Sequence, residues 1–134
     1  MDSELFDLIQ WSDDPFEVTA KNPTELCLRF ESLTVSSLPG AGIEGPVKLE
    51  GVDIRFSNPK NERFMLWRDS EQQWSEVDGD EGLISNTVRE AFQKFSRTQH
   101  GLYSIKGPNP EGIGAWSFAS DMLNIGWSHQ IRIG

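Results

Sequence analysis

Two histidines, His100 and His129, and one cysteine, Cys27, are the residues of this sequence best suited to acid–base or nucleophilic chemistry. His129 lies in an alternating segment between Trp127 and Ile131, a position typical of a hydrogen-bonded histidine in the core or at its rim. Neither histidine is spaced from a cysteine, serine or carboxylate as in a catalytic triad or a metal site. We therefore predict that the protein is not an enzyme and has no catalytic residues, metal site or cofactor.

Residues 69–81 form an acidic run without any base, which raises the question of cation binding. Its acids are Asp69, Glu71, Glu76, Asp78, Asp80 and Glu81. A calcium-binding EF-hand loop needs glycine at its sixth position and a bidentate glutamate at its twelfth. Counted from Asp78, these positions hold Leu83 and Arg89, so the EF-hand is excluded. The acids then solvate a loop and complement the N-terminus of the helix predicted after them, form a weaker, irregular cation site, or contact a positively charged partner.

Trp74 lies inside this acidic run, and its type allows two interpretations. As a strand residue it would face the core, which is the favoured interpretation of a large aromatic side chain. An exposed indole would instead fill a pocket of a partner while the surrounding carboxylates pair with lysine and arginine. The predicted partner-binding residues follow the second interpretation: Asp69, Glu71, Trp74, Glu76, Asp78, Asp80 and Glu81, together with Asp13 and Asp14.

The whole chain is strongly acidic, with a formal net charge of −9 on 134 residues. Residues 1–50 alone contain ten acids and three bases. Such a field repels phosphates, so we expect no direct nucleic-acid binding. It attracts basic partner proteins and speeds their approach, although acidity can also serve solubility alone.

The composition is that of one globular domain, residues 1–134, with five tryptophans and eight phenylalanines to build a core. No apolar stretch is long enough to cross a bilayer, so no membrane association is expected. The acidic N-terminus does not resemble a secretory signal. Because Cys27 has no second cysteine to pair with, a reducing, cytoplasmic location is expected.

The hydrophobic periodicity predicts the elements that position these residues. A short helix is expected over 3–11, and the predicted strands lie at 25–35, 47–56, 63–68, 72–77, 102–106, 113–119 and 125–133. Between Leu49 and Val52 the alternation shifts by one residue, which predicts a bulge or a hairpin turn at Glu50-Gly51.

A long amphipathic helix is predicted at about 83–97, because Ile84, Val88, Ala91, Phe92 and Phe95 recur at helical spacing. The strands follow one another through short turns instead of alternating with helices. The predicted fold class is therefore α+β: a mainly antiparallel sheet with this helix packed on one face and the short N-terminal helix beside it.

Together these features favour a small, acidic, non-catalytic binding protein that masks a basic partner protein. An immunity protein, or another inhibitor of a toxin or of a nucleic-acid-acting protein, fits the size and charge. One alternative is a small-molecule-binding or enzymatic domain with a pocket between sheet and helix. Another is a secretion or assembly chaperone. The oligomeric state is left open by the sequence.

Overall fold

The computed structural model describes residues 3–11, 16–77, 94–97, 101–109 and 112–133. Its first element is a short helix, α1 (Ser3–Asp7), which falls within the helix expected over 3–11. Phe6 of α1 and Ile9 just beyond it are buried, and Ile9 forms an isolated antiparallel bridge with Val35. The helix ends early because the chain after Asp7 turns to run beside the strand that contains Val35.

Antiparallel strands make up most of the described chain. They are β1 (Phe16–Asn22), β2 (Glu25–Val35), β3 (Val47–Ser57), β4 (Lys60–Arg68), β5 (Gln73–Val77), β6 (Lys94–Arg97), β7 (Leu102–Asn109), β8 (Gly112–Ala119), β9 (Met122–Gly126) and β10 (His129–Arg132). The first sheet has five strands in the order β1-β2-β3-β10, with β9 also paired to β3. The second sheet has five strands in the order β5-β4-β8-β7-β6.

The prediction of a long amphipathic helix over 83–97 packed on the sheet is wrong. Lys94–Arg97 form β6, which pairs with β7 in antiparallel register from Lys94↔Lys106 to Arg97↔Tyr103. Residues 83–93 lie outside the described residues. A few apolar residues at helical spacing do not fix a helix, since strand pairing with β7 can override the local pattern. Throughout the described residues the fold is an antiparallel β structure, and the α+β class does not hold.

The core lies between the two sheets. The ring of Phe56 on β3 is 4.8 Å from that of Phe118 on β8 and 4.8 Å from that of Tyr103 on β7, measured between centroids. Trp116 on β8 is fully buried beside them. The chain crosses between the sheets at the β3–β4 and β8–β9 turns. The arrangement is a sandwich of two sheets with side chains of both inner faces interleaved.

The predicted irregularity at Glu50-Gly51 lies inside one continuous strand, β3. The pairs Phe30↔Val52 and Ser32↔Glu50 keep the same register against β2 on either side of it, so neither the extra residue of a bulge nor a hairpin turn is present in this pairing. Gly51 has a φ of 61°, a left-handed conformation that suits glycine. On the opposite side of β3 the edge is interrupted at the same level, where β9 ends and β10 begins.

Candidate functional site

The outer face of the second sheet carries the exposed aromatic residue that the sequence places among acids. Along β4, Phe64 and Leu66 are buried and face the core, whereas Met65 and Trp67 alternate with them and are only half-buried. Trp74 on the neighbouring β5 is directly opposite Trp67 and therefore lies on the same outer face.

Three large side chains form a row across β5, β4 and β8. Trp74 pairs with Trp67, and Trp67 pairs with Ile113; we call these three residues the Trp74 stripe. The two indole rings lie 5.8 Å apart in an edge-on arrangement. Trp74 is 42% exposed and Ile113 is 44% exposed. The interpretation of Trp74 as a core residue is therefore wrong, and the exposed indole that an anchor requires is present.

A tight hairpin turn sets the position of the stripe. The amides of Glu71 and Gln72 both donate to the carbonyl oxygen of Arg68, at 3.1 Å and 2.8 Å. Gln72 has a φ of 51°, which lets the chain reverse and enter β5. Because the turn is symmetric about residues 70 and 71, it pairs Trp67 with Trp74.

Gly112 supports the same region from β8. It has a φ of 154°, and a Cβ at this position would collide with the carbonyl oxygen of Trp67. Only glycine allows β8 to approach the end of β4 this closely. The backbone that carries the stripe therefore depends on this contact.

Three of the predicted acids surround the stripe. Asp69 and Glu71 lie in the turn and Glu76 lies on β5, and all three are exposed. A guanidinium of Arg63 is 3.6 Å from Glu76, and that of Arg68 is 4.0 Å from Glu71. Such exposed pairs contribute about 0–1 kcal/mol each, so these carboxylates can exchange their arginines for a partner's cations at small cost.

The other predicted site residues cannot be placed beside the stripe. Asp78, Asp80 and Glu81 follow β5 in the sequence, and Asp13 and Asp14 precede β1; all five lie outside the described residues. Sequence reasoning missed Trp67 and Ile113 as members of the site, because the pairing of β5, β4 and β8 is not visible in the sequence. The hairpin register was the available signal, since Trp67 and Trp74 are equally distant from the turn.

The candidate catalytic residues are not brought together. Cys27 is buried opposite Arg55 on β3, whereas His129 is exposed opposite Glu50. Arg55 and Glu50 are five residues apart on β3, which separates Cys27 from His129 by roughly 15 Å along the strand direction. The expectation that His129 belongs to the core or its rim is wrong, because β10 forms an open sheet edge. His100 lies outside the described residues.

A pocket of about 290 Å³ opens between the β1–β2 and β3–β4 turns. At its wall the ammonium of Lys21 is 2.8 Å from Glu62 Oε1, and Glu62 Oε2 accepts a hydrogen bond of 2.9 Å from the indole nitrogen of the buried Trp116. This chain of contacts joins the two sheets and satisfies the indole of Trp116. Its charged groups are thus engaged with each other, and we assign them a structural role.

Comparisons with family models, with curated proteins and with solved structures gave no match. Within the described ranges, no group of three or more histidine, cysteine or acidic side chains is arranged to hold a metal ion. The helices of these ranges are all too short or too polar to cross a membrane.

Proposed function

We propose that this chain is a non-catalytic binding protein that masks a basic partner protein through the outer face of β5, β4 and β8. The observation that carries the proposal is Trp74: a large indole, 42% exposed, within an acidic segment. A tryptophan that acts as a hot spot of an interface stabilises the complex by about 2 kcal/mol or more, which is roughly thirtyfold in affinity.

The proposed mechanism has two steps. The net charge of −9 first attracts a positively charged surface, which raises the rate of encounter. The Trp74 stripe then docks into an apolar pocket of the partner, while Asp69, Glu71 and Glu76 pair with lysine and arginine side chains at its rim. An immunity protein or another inhibitor of a toxin or a nucleic-acid-acting protein works in this way, and we place the protein in this class.

A cytoplasmic location belongs to the same proposal. Cys27 is an unpaired, buried thiol, which suits a reducing compartment.

Affinity capture from the native host at low salt tests the proposal. We expect wild-type protein to retain a basic protein that dissociates when the salt concentration is raised, because surface charges are then screened. Trp74→Ala should lose that protein. The triple variant Asp69→Asn, Glu71→Gln and Glu76→Gln should retain less of it at every salt concentration.

Met122→Ala is the matched control, because Met122 is 49% exposed but lies on β9 of the other sheet. It should retain the partner as wild type does. Recovery of the same proteins by wild type and Trp74→Ala would refute the proposal, as would a Trp74-dependent partner that is not basic.

A further inference from the structure

We propose that two copies of this chain associate edge to edge through β10, with a twofold axis at Ile131. The partner is a second copy of the chain, and the result is one continuous sheet across both copies. The surface belongs to the first sheet, away from the Trp74 stripe, so the inference stands independently of the function proposed above.

The two edges of the first sheet differ in how they are protected against strand pairing. At one edge, β1 has a register irregularity between Val18 and Ala20 and carries the exposed charges of Glu17 and Lys21. Irregular register and exposed charge are the usual devices that prevent a strand edge from pairing with another chain. At the other edge, the four pairs of β10 with β3 continue in regular register from His129↔Glu50 to Arg132↔Val47.

The backbone of β10 is oriented for such pairing. The amide of Ile133 donates to the carbonyl oxygen of Pro46 at 3.1 Å, so it faces β3. Because this orientation alternates along a strand, the amide of Ile131 also faces β3, while the backbone groups of Gln130 and Arg132 face outward. Among the described strands, only β3 pairs with β10, so these outward groups lie on the sheet edge.

This orientation selects one antiparallel register. If Gln130 of one copy pairs with Arg132 of the other, both outward-facing residues exchange backbone hydrogen bonds, and the twofold axis generates the same pair again. Ile131 then lies on the axis opposite its own counterpart, as a non-hydrogen-bonded pair with Cα atoms about 4.5 Å apart.

The side chains at this edge favour self-association. Ile131 is 47% exposed and Ile133 is 56% exposed, and alternation places both on the same face. The chosen register brings Ile131 against its counterpart and Ile133 against His129 of the second copy, which buries apolar surface from both copies.

The charges at this edge also favour a second copy of the chain as the partner. Two chains of net charge −9 repel each other, so an interface between copies should lack carboxylates. Residues 122–134 contain no aspartate or glutamate, and their only formally charged side chain is Arg132.

Sedimentation equilibrium over a wide range of protein concentrations tests the association. We expect the mean mass to rise from that of one chain to that of two. Ile131→Lys should hold the protein at the mass of one chain, because it places two ammonium groups at the axis. Met122→Lys, the control at an exposed position on β9, should still dimerise. A single-chain mass at every concentration overturns the proposal, as does a dimer that survives Ile131→Lys.

A cysteine cross-link tests the register. Ile131→Cys should form a disulfide with its counterpart on oxidation, because the expected Cα separation lies within the range a disulfide spans. Arg132→Cys should not, because the offset between its two copies is about 8–9 Å. Efficient cross-linking of Arg132→Cys, or none of Ile131→Cys in a protein that dimerises, rules out this interface. Circular dichroism confirms that each variant is folded.

Discussion

At the scale of single residues, Glu62 shows how a partly exposed carboxylate can stabilise a buried aromatic side chain. One carboxylate oxygen accepts the indole hydrogen of Trp116, which is fully buried, while the other pairs with Lys21. Without that acceptor the indole N–H would lie between two sheets with no hydrogen bond. The contact therefore stabilises the junction of β1, β4 and β8 more than a surface ion pair alone would.

Glu62→Ala should lower the free energy of unfolding by about 1–3 kcal/mol, the cost of leaving a buried donor unsatisfied. Urea denaturation measures this change. Glu62→Gln keeps an acceptor for the indole but loses the ion pair, so its loss should be smaller. Glu44→Ala, at an exposed position, should change stability by less than about 0.5 kcal/mol. Equal losses for Glu62→Ala and Glu44→Ala would show that the indole contact is unimportant.

At the scale of elements, the close approach of β8 to β4 can be tested at Gly112. Gly112→Ala introduces a Cβ against the carbonyl oxygen of Trp67 and should destabilise the fold by about 1–3 kcal/mol. Gly40→Ala is the control, since no atom lies within 4 Å of the added Cβ there. Thermal or urea unfolding of both variants measures the difference. A Gly112→Ala protein as stable as Gly40→Ala would contradict the packing of β8 against β4.

The strands with clear alternation were accessible from sequence, whereas the pairing between distant segments was not. The pattern from Glu25 to Val35 gives the bounds of β2, and the shift in alternation coincides with the left-handed backbone of Gly51. β1 is an exception, since it was not predicted although Phe16, Val18 and Ala20 alternate there with polar residues. The last predicted strand, 125–133, is divided between β9 and β10, and the division lies beside the left-handed Gly51 of their partner β3.

The candidate site was only partly predictable for the same reason. The acids and Trp74 of residues 69–76 are visible in the sequence. Whether the indole faces inward, however, depends on the register of β5 against β4. That register in turn assigns Trp67 and Ile113 to the outer face. A one-residue shift would have turned the whole stripe towards the core.

At the scale of the whole molecule, charge is the property that separates this chain from an ordinary β-sandwich. The described ion pairs engage five bases: Lys21, Arg29, Lys60, Arg63 and Arg68. Each pair joins one acid to one base, so the formal excess of nine carboxylates is unchanged and acts on the surroundings. An excess of this size produces a long-range attraction for a basic partner, and that attraction is screened over about 8 Å at physiological salt.

The rate of association with the captured basic partner should therefore fall by about tenfold or more between low and physiological salt. The dissociation rate should change much less, because it depends on the docked contacts. Stopped-flow or surface-based kinetics at several salt concentrations measure both rates. An association rate independent of salt would mean that the acidity serves solubility only.

The proposed interface depends most on Trp74, and the dissociation constants of the captured partner for three variants of this chain test that dependence. Wild type, Trp74→Ala and the control Met122→Ala are compared by calorimetry at one salt concentration, with folding checked by circular dichroism. We predict that Trp74→Ala weakens binding about thirtyfold or more, while Met122→Ala stays within about twofold of wild type. Binding by Trp74→Ala as tight as that of wild type would contradict the proposed interface.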